Sequence, residues 1–225
     1  MIKNNYEHIC IVTSAIGSPL GIVPLDDRYK QTLHSIDTIR NKIPNCCIVL
    51  NDVSLNECND YREHVKSLVD VFLDSNGNQA IVDYSRQGLK SHADLLLVRY
   101  SLQFVIDYLD LTTINRIFKL SARHSITEEF DIKDYEGTEG KYVFKNPVQS
   151  WISPDMKLYE ARLFSFHKSL IPDYVSKFPN MFNSCDGRFD LEHTYYKWLD
   201  QKDVICFDNI WVEGIVAPDA HYQKD

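Results

Sequence analysis

Apolar residues along the chain fall into two alternating patterns. The run "HICIVTSAIG" is continuously apolar and then opens into small residues and Gly17. An uninterrupted run of this length predicts a central strand buried on both faces. A loop with Pro19, Gly21 and Pro24 follows. In "DDRYKQTLHSIDTIRNKIP" the apolar positions Leu33, Ile36, Ile39 and Ile43 recur at helical spacing. Asp26 and Asp27 suit its start and Pro44 its stop. "CCIVLNDVS" predicts a second buried strand ending at Asp52, and "LNECNDYREHVKSLVDVFLDS" a helix leading into a strand over Val69 to Leu73.

Strand, helix, strand, helix, strand over the first 75 or so residues implies a parallel sheet with right-handed crossovers. A ligand is then expected beyond the carboxyl ends of the strands. "SNGNQAIVDYSRQGLKSHAD" reads as a polar loop with an apolar island, and "LLLVRYSLQFVIDYLDL" as the strongest helix. A buried strand, Ile117 to Leu120, then ends abruptly in Ser121-Ala122-Arg123-His124. Strands are expected in "KYVFKNPVQSWIS" and "YEARLFSFHKSLI", helices near Pro172 to Phe178 and Leu191 to Leu199, and a last strand in "NIWVEGIVAP". Residues Ala220 to Asp225 read as a frayed tail. The expected class is one α/β domain with a mostly parallel central sheet flanked by helices.

Composition narrows the chemistry. The 225 residues are 44% hydrophobic, enough for a sizeable core. A net charge of -8 without a dense Lys/Arg run argues against nucleic acid as a partner, while small anions need only a few local cations. The polar start, residues 1–8, precedes an apolar run too short for a leader, and no segment has the length of a membrane span. Six scattered cysteines without a C-x-x-C pair read as reduced, mostly buried thiols, which fits the cytoplasm. No G-x-G-x-x-G follows the first strand and no G-x-x-x-x-G-K-[ST] occurs anywhere, which argues against the dinucleotide fingerprint and the P-loop.

Convergence of the strand ends on one edge would gather Thr13, Ser14, Ala15 and Asp52 with the cations Arg28, Lys90 and Arg123. That inventory suits a nucleoside diphosphate, because a guanidinium donates two parallel hydrogen bonds to phosphate. Each residue also has a plainer reading. Asp52 can be a turn or cap aspartate, Arg28 and Lys90 solvated surface cations, and Arg123 a structural partner of Glu128, Glu129 or Asp131.

The stretches "IVTSA", "RYKQTLHSIDTIRNKIPNCCIVLNDVS", "LKSHADLLLVRYSLQFV", "RIFKLSARHSITEEFD", "LFSFHKSLI", "LEHTYYKWL" and "VEGIVAPDA" occur in an order that resembles a GT-A-type nucleotide-sugar glycosyltransferase. The likeness is to the small glycosyltransferase-like proteins of phages, large viruses and bacteria. It implies a single Rossmann-related domain, with a nucleotide-binding half over about residues 1–125 and an acceptor-binding half over about 126–225. It implies a UDP- or GDP-sugar donor and a glycan or other hydroxyl acceptor, as in polysaccharide biosynthesis. Thr13, Ser14, Ala15 and Asp52 would hold the nucleoside. The family's Asp-x-Asp pair, which carries Mn²⁺ or Mg²⁺, is replaced here by Ser121-Ala122-Arg123. Arg123, Lys90 and Arg28 would then supply the positive charge, and Asp131 and Asp134 offer a rescue of a metal site. Glu192 is the first candidate for the base and Glu213 the second. His167 and His193 are candidate hydrogen-bond donors, and Tyr195, Tyr196 and Trp198 suit either a sugar face or the core. The rival reading is a GT-A-like binding or assembly subunit without catalysis. A phosphohydrolase or nucleotidyltransferase would want clustered acids at a strand end, and the sequence shows none there. Oligomeric state is left open.

Overall fold

A computed structural model describes residues 5–18, 22–185, 189–216 and 221–225. The polar start at residues 1–4, the Pro19–Gly21 loop and the end of the expected last strand, residues 217–220, lie outside them. In chain order the elements are β1 (His8–Ser14), α1 (Leu25–Lys42), β2 (Cys46–Asp52), α2 (Asn59–Leu68), β3 (Val71–Asp74), α3 (Gln79–Arg86), α4 (Lys90–Tyr108), β4 (Arg116–Ser121) and β5 (His124–Ile126). There follow β6 (Tyr142–Lys145), β7 (Val148–Gln149), β8 (Lys157–Leu158), β9 (Leu163–His167), α5 (Ile171–Ser184), α6 (Leu191–Trp198), β10 (Val204–Phe207), β11 (Val212–Val216) and β12 (His221–Lys224).

Seven strands form the main sheet in the order β10-β6-β9-β4-β1-β2-β3. Pairing is parallel except where β9 runs antiparallel between β4 and β6. This is the mostly parallel α/β sheet expected. The apolar run of β1 is explained by its two buried faces. Ile9 and Ile11 pack with α4, α5 and α6, and Cys10 and Val12 with α1 and α2. Five of the six cysteines are buried, and none of the six forms a disulfide. Among the described residues no helix is long and apolar enough to cross a membrane.

Four expectations need correction. The segment after β3 is not a loop. Asn78 caps α3 by accepting from the Ile81 N–H at 3.3 Å, and Ile81 and Val82 dock against Val53 and Leu97. The following helix begins at Lys90, five residues before the apolar stretch that predicted it. The tail is not frayed beyond Ala220, which itself lies outside the described residues. β12 pairs with β11, and the buried Asp225 carboxylate accepts from Arg162 at 2.8 Å and Lys145 at 2.7 Å. Helix α5 also runs on through Pro179, past the expected end at Phe178.

A second, three-stranded sheet, β12-β11-β5, lies against the turn after β4. Gly214 of β11, at φ +152°, pairs with His124, and a Cβ there would stand 2.3 Å from the Arg123 carbonyl oxygen. Only glycine permits that approach. Gly214→Ala is expected to cost about 1–3 kcal/mol, from backbone strain and displacement of the turn. Thermal unfolding checks this, and an unchanged melting temperature would contradict it.

Candidate functional site

Parallel pairing of β1 with β4 sets Thr13 opposite Ser121 and brings both carboxyl ends to one edge. The Ala122-Arg123 turn is fixed from three sides. Ala122 N–H donates to the Thr13 carbonyl at 3.0 Å. The Ser35 hydroxyl of α1 donates to the carbonyls of Ala122 and His124. Ile126 N–H donates to the Thr38 hydroxyl at 3.1 Å.

At this edge lies a cavity of about 720 Å³, whose lining includes Thr13, Ser14, Ala15, Arg28, Lys90 and Arg123. Six of the seven expected nucleotide-binding residues are therefore brought together. Arg28 donates to the Ala15 and Val23 carbonyls, both at 3.1 Å, which fixes its guanidinium plane. Burial pulls the pKa of Arg28, Lys90 and Arg123 down, and mutual repulsion adds to it: Arg28 feels Arg123, and Lys90 feels both. No ion pair among the described residues joins any of the three to a carboxylate. The expected structural partners of Arg123 are engaged elsewhere. Glu128 pairs with Lys42, Glu129 with Lys224, and Asp131 caps the Lys133 N–H. Three like charges that form no ion pair among the described residues have the character that would suit an anion.

Lys119, 1% exposed, reaches the same cavity from within β4. Its ammonium donates to Asp94 at 2.7 Å and to the Ser121 hydroxyl at 3.0 Å, so its charge is already balanced. Beside this pair lies an acidic group. Asp190 caps α6 and pairs with His193 at 2.6 Å, and Glu160 pairs with Arg162 and Lys145. Glu192 lines the cavity, half-buried. Burial first, then Asp190, push its carboxyl up to about 8. Both causes favour the protonated carboxyl over the carboxylate.

Other expected residues fall elsewhere. Asp52 is buried off the cavity wall. One oxygen accepts from the Ile16 N–H at 3.2 Å and the other from Arg62 at 2.9 Å, so it holds the loop after β1. Glu213 accepts from the Tyr222 hydroxyl at 2.6 Å on the small sheet, also off the cavity wall. His124, which follows Arg123 in the sequence as a potential second cation, adds no charge to the cluster. Burial, then Arg123, push its pKa down to about 3, and neither ring nitrogen reaches a partner at hydrogen-bonding geometry, though the Ser121 backbone lies near. Tyr195 belongs to the core, with Tyr196 and Trp198 packed against it, and His167 caps the Ser169 N–H.

Lys119, Asp94, Asp190, Glu160 and Arg162 were missed. Two signals pointed to Lys119 and Asp94. A lysine inside the apolar strand "RIFKLS" shares a face with Ser121 by strand alternation. Lys90, Asp94 and Leu97 recur at i, i+4, i+7 on one helix face, and all three line the cavity. The donor set does not fit a divalent ion. Ser121, Ala122 and Arg123 occupy the strand end, Asp94 and Glu160 are taken by cations, and no metal-holding group of three His, Cys, Asp or Glu occurs among the described residues. Asp131 and Asp134 sit on a separate short turn and do not line the cavity.

No family model matches the chain, and no curated protein matches it. Solved structures resemble it in fold. CTP:phosphocholine cytidylyltransferase from Streptococcus pneumoniae (LicC) superposes with a TM-score of 0.54 at 10% identity, over 93% of each chain. Core-mannan synthase A from Aspergillus fumigatus, solved in a Mn/GDP form, gives 0.52 at 7% identity, covering 98% of this chain and 76% of that one. The bifunctional glycosyltransferase WbbM gives 0.54 at 8% identity, covering 92% of this chain and 39% of that one. At such identities the likeness is one of fold, shared by glycosyltransferases and a cytidylyltransferase.

The raised Glu192 pKa has a consequence for stability. Between its ordinary value of 4.5 and about 8, the unfolded chain releases a proton that the folded protein keeps. Folding therefore loses stability as pH rises through that window. Glu192→Gln removes this term, so the stability difference, variant minus wild type, should grow from pH 5 to pH 8. Urea unfolding at three pH values measures it, and a difference independent of pH would contradict the burial of Glu192.

Proposed function

We propose that this protein transfers a sugar from a nucleoside-diphosphate sugar to a hydroxyl group of a glycan. The observation that carries the reading is the cluster of Arg28, Lys90 and Arg123, without counterions among the described residues, at the carboxyl edge of β1 and β4. A diphosphate leaving group gains charge as the glycosidic bond breaks, and fixed cations stabilise that charge. Here they do so without a metal ion. Thr13, Ser14 and Ala15 lie where the nucleoside would enter, in the first half of the chain. The second half contributes Glu192. In its ionised form it takes the proton of the acceptor hydroxyl, and its raised pKa makes it a stronger base. The fold shared with sugar- and nucleotide-transferring enzymes supports the reading.

Thermal shift and calorimetry with UDP, GDP and their sugars test it. At least one nucleotide should stabilise the wild type equally with and without EDTA. Arg123→Ala should weaken that binding by about 10- to 100-fold, the worth of one or two charge-assisted hydrogen bonds. Strong EDTA sensitivity, or full affinity in the variant, would contradict the metal-free cation site. Transfer should also climb with pH toward about 8 as Glu192 ionises. A protein that binds nucleotide but neither transfers nor hydrolyses any sugar would overturn the enzymatic reading.

A further inference from the structure

Trp151 presents 70% of its surface to solvent and lines the cavity. It stands on the β7–β8 hairpin, where its apolar neighbours Val148 and Leu158 are cross-strand partners and also line the cavity. Leaving an indole exposed forgoes one of the largest apolar burials a residue can make. Its mounting is nevertheless tied down by hydrogen bonds. The Ser150 N–H donates to the Met156 carbonyl at 2.9 Å, and the Ile152 N–H to the Ser150 hydroxyl at 2.9 Å. That hydroxyl meets His193 Nε2 at 2.7 Å, and His193 Nδ1 meets Asp190 at 2.6 Å. The Tyr159 N–H, just past β8, donates to the Glu192 carbonyl at 3.2 Å. The hairpin is thus pinned to the helix that carries Glu192.

The chain Ser150–His193–Asp190 has the connectivity of a hydrolytic triad. Its serine is buried, already accepts from a backbone N–H and lies off the cavity wall. Its role is that of a strut. The strut sets the indole perpendicular to the His193 ring, with centroids 4.9 Å apart. An exposed aromatic on a cavity wall, with its backbone held by hydrogen bonds, offers a stacking surface to a ligand at reduced ordering cost.

We infer that Trp151 is the stacking platform for a pyranose unit of the acceptor glycan, held in place by the Ser150–His193–Asp190 strut. This rests on the transferase reading above. A pyranose has an apolar C–H face that covers an indole, and hydroxyls around its rim. Asp190 and Glu192, on the helix to which the hairpin is pinned, are the acceptors within reach of the cavity for those hydroxyls. A nucleobase would also stack on indole. The diphosphate cations, however, come from α1, α4 and the β4–β5 turn, whereas Trp151 belongs with the acidic group around Glu192.

The test titrates methyl pyranosides of glucose, galactose, mannose and N-acetylglucosamine, and their short oligosaccharides, by calorimetry. Wild type, Trp151→Ala and Trp151→Phe are compared, and UDP and GDP binding is measured on each by calorimetry. Because Trp151 is exposed, both variants should keep the wild-type melting temperature. At least one saccharide should bind the wild type, about tenfold more weakly the Ala variant, and near wild-type strength the Phe variant, the difference expected of one aromatic contact. Nucleotide affinity should be equal in all three. Ser150→Ala should weaken saccharide binding without changing nucleotide binding, which a purely structural role would not separate. Equal saccharide affinity in Trp151→Ala, or no response to any saccharide, would overturn the proposal. So would loss of UDP or GDP binding in the variant, which would assign the ring to the base. So would self-association that Trp151→Ala abolishes, which would assign the face to a second copy. If saccharide binding depends on Trp151 while no nucleoside diphosphate binds, the donor reading fails and the platform stands.

Discussion

A guanidinium placed in a half-buried turn beside two other cations raises the free energy of the folded chain unless a counter-charge arrives. Arg123 is in that position, with Arg28 and Lys90 as neighbours. The surrounding structure works to keep it there. Thr13, Ser35 and Thr38 fix the backbone around the turn by hydrogen bonds, and Gly214 lets β11 press against its carbonyl. We read a turn fixed in this way, with its charge in no ion pair among the described residues, as a functional site rather than a device for stability. The neighbouring Lys119 shows the alternative. Its charge is deeper, and Asp94 neutralises it within the chain.

The cavity therefore carries two kinds of charge with different duties. The cationic group belongs to elements of the first half of the chain, the β1 end, α1, α4 and the β4–β5 turn. The acidic and aromatic group comes chiefly from the second half, on α6 and the β7–β8 hairpin. The Lys119–Asp94 pair belongs to both fields, since Asp94 acts on Arg123 and on Glu192. A donor rich in negative charge and an acceptor rich in hydroxyls would each find its complement in one cavity.

Much of this was legible in the sequence, for physical reasons. Two-side burial writes itself as unbroken apolar runs, so β1, β2 and β4 could be located to within a residue or two. Parallel pairing then forces their ends together, which is why Thr13, Arg28, Lys90 and Arg123 could be grouped before any coordinates. What escaped depends on long-range geometry. Asp52 looks like a ligand by position, yet Arg62, ten residues on, claims it. Glu213 lies on a strand of the small sheet and turns to Tyr222 instead. His124 follows Arg123 directly, yet burial strips its charge. Trp151 gave no periodic signal because it sits on a two-residue-strand hairpin. Only the fold brings that hairpin to the cavity. The tail misled for the same reason, since its strand is held by β11 and by two cations distant in sequence.

The central claim is that the three cations form a metal-free diphosphate site. Inorganic pyrophosphate, which has neither base nor sugar, isolates it. Calorimetric titration in EDTA-containing buffer should show one pyrophosphate bound per chain, with affinity that falls as salt is raised. No binding, or binding that appears only when Mn²⁺ or Mg²⁺ is supplied, would contradict the account.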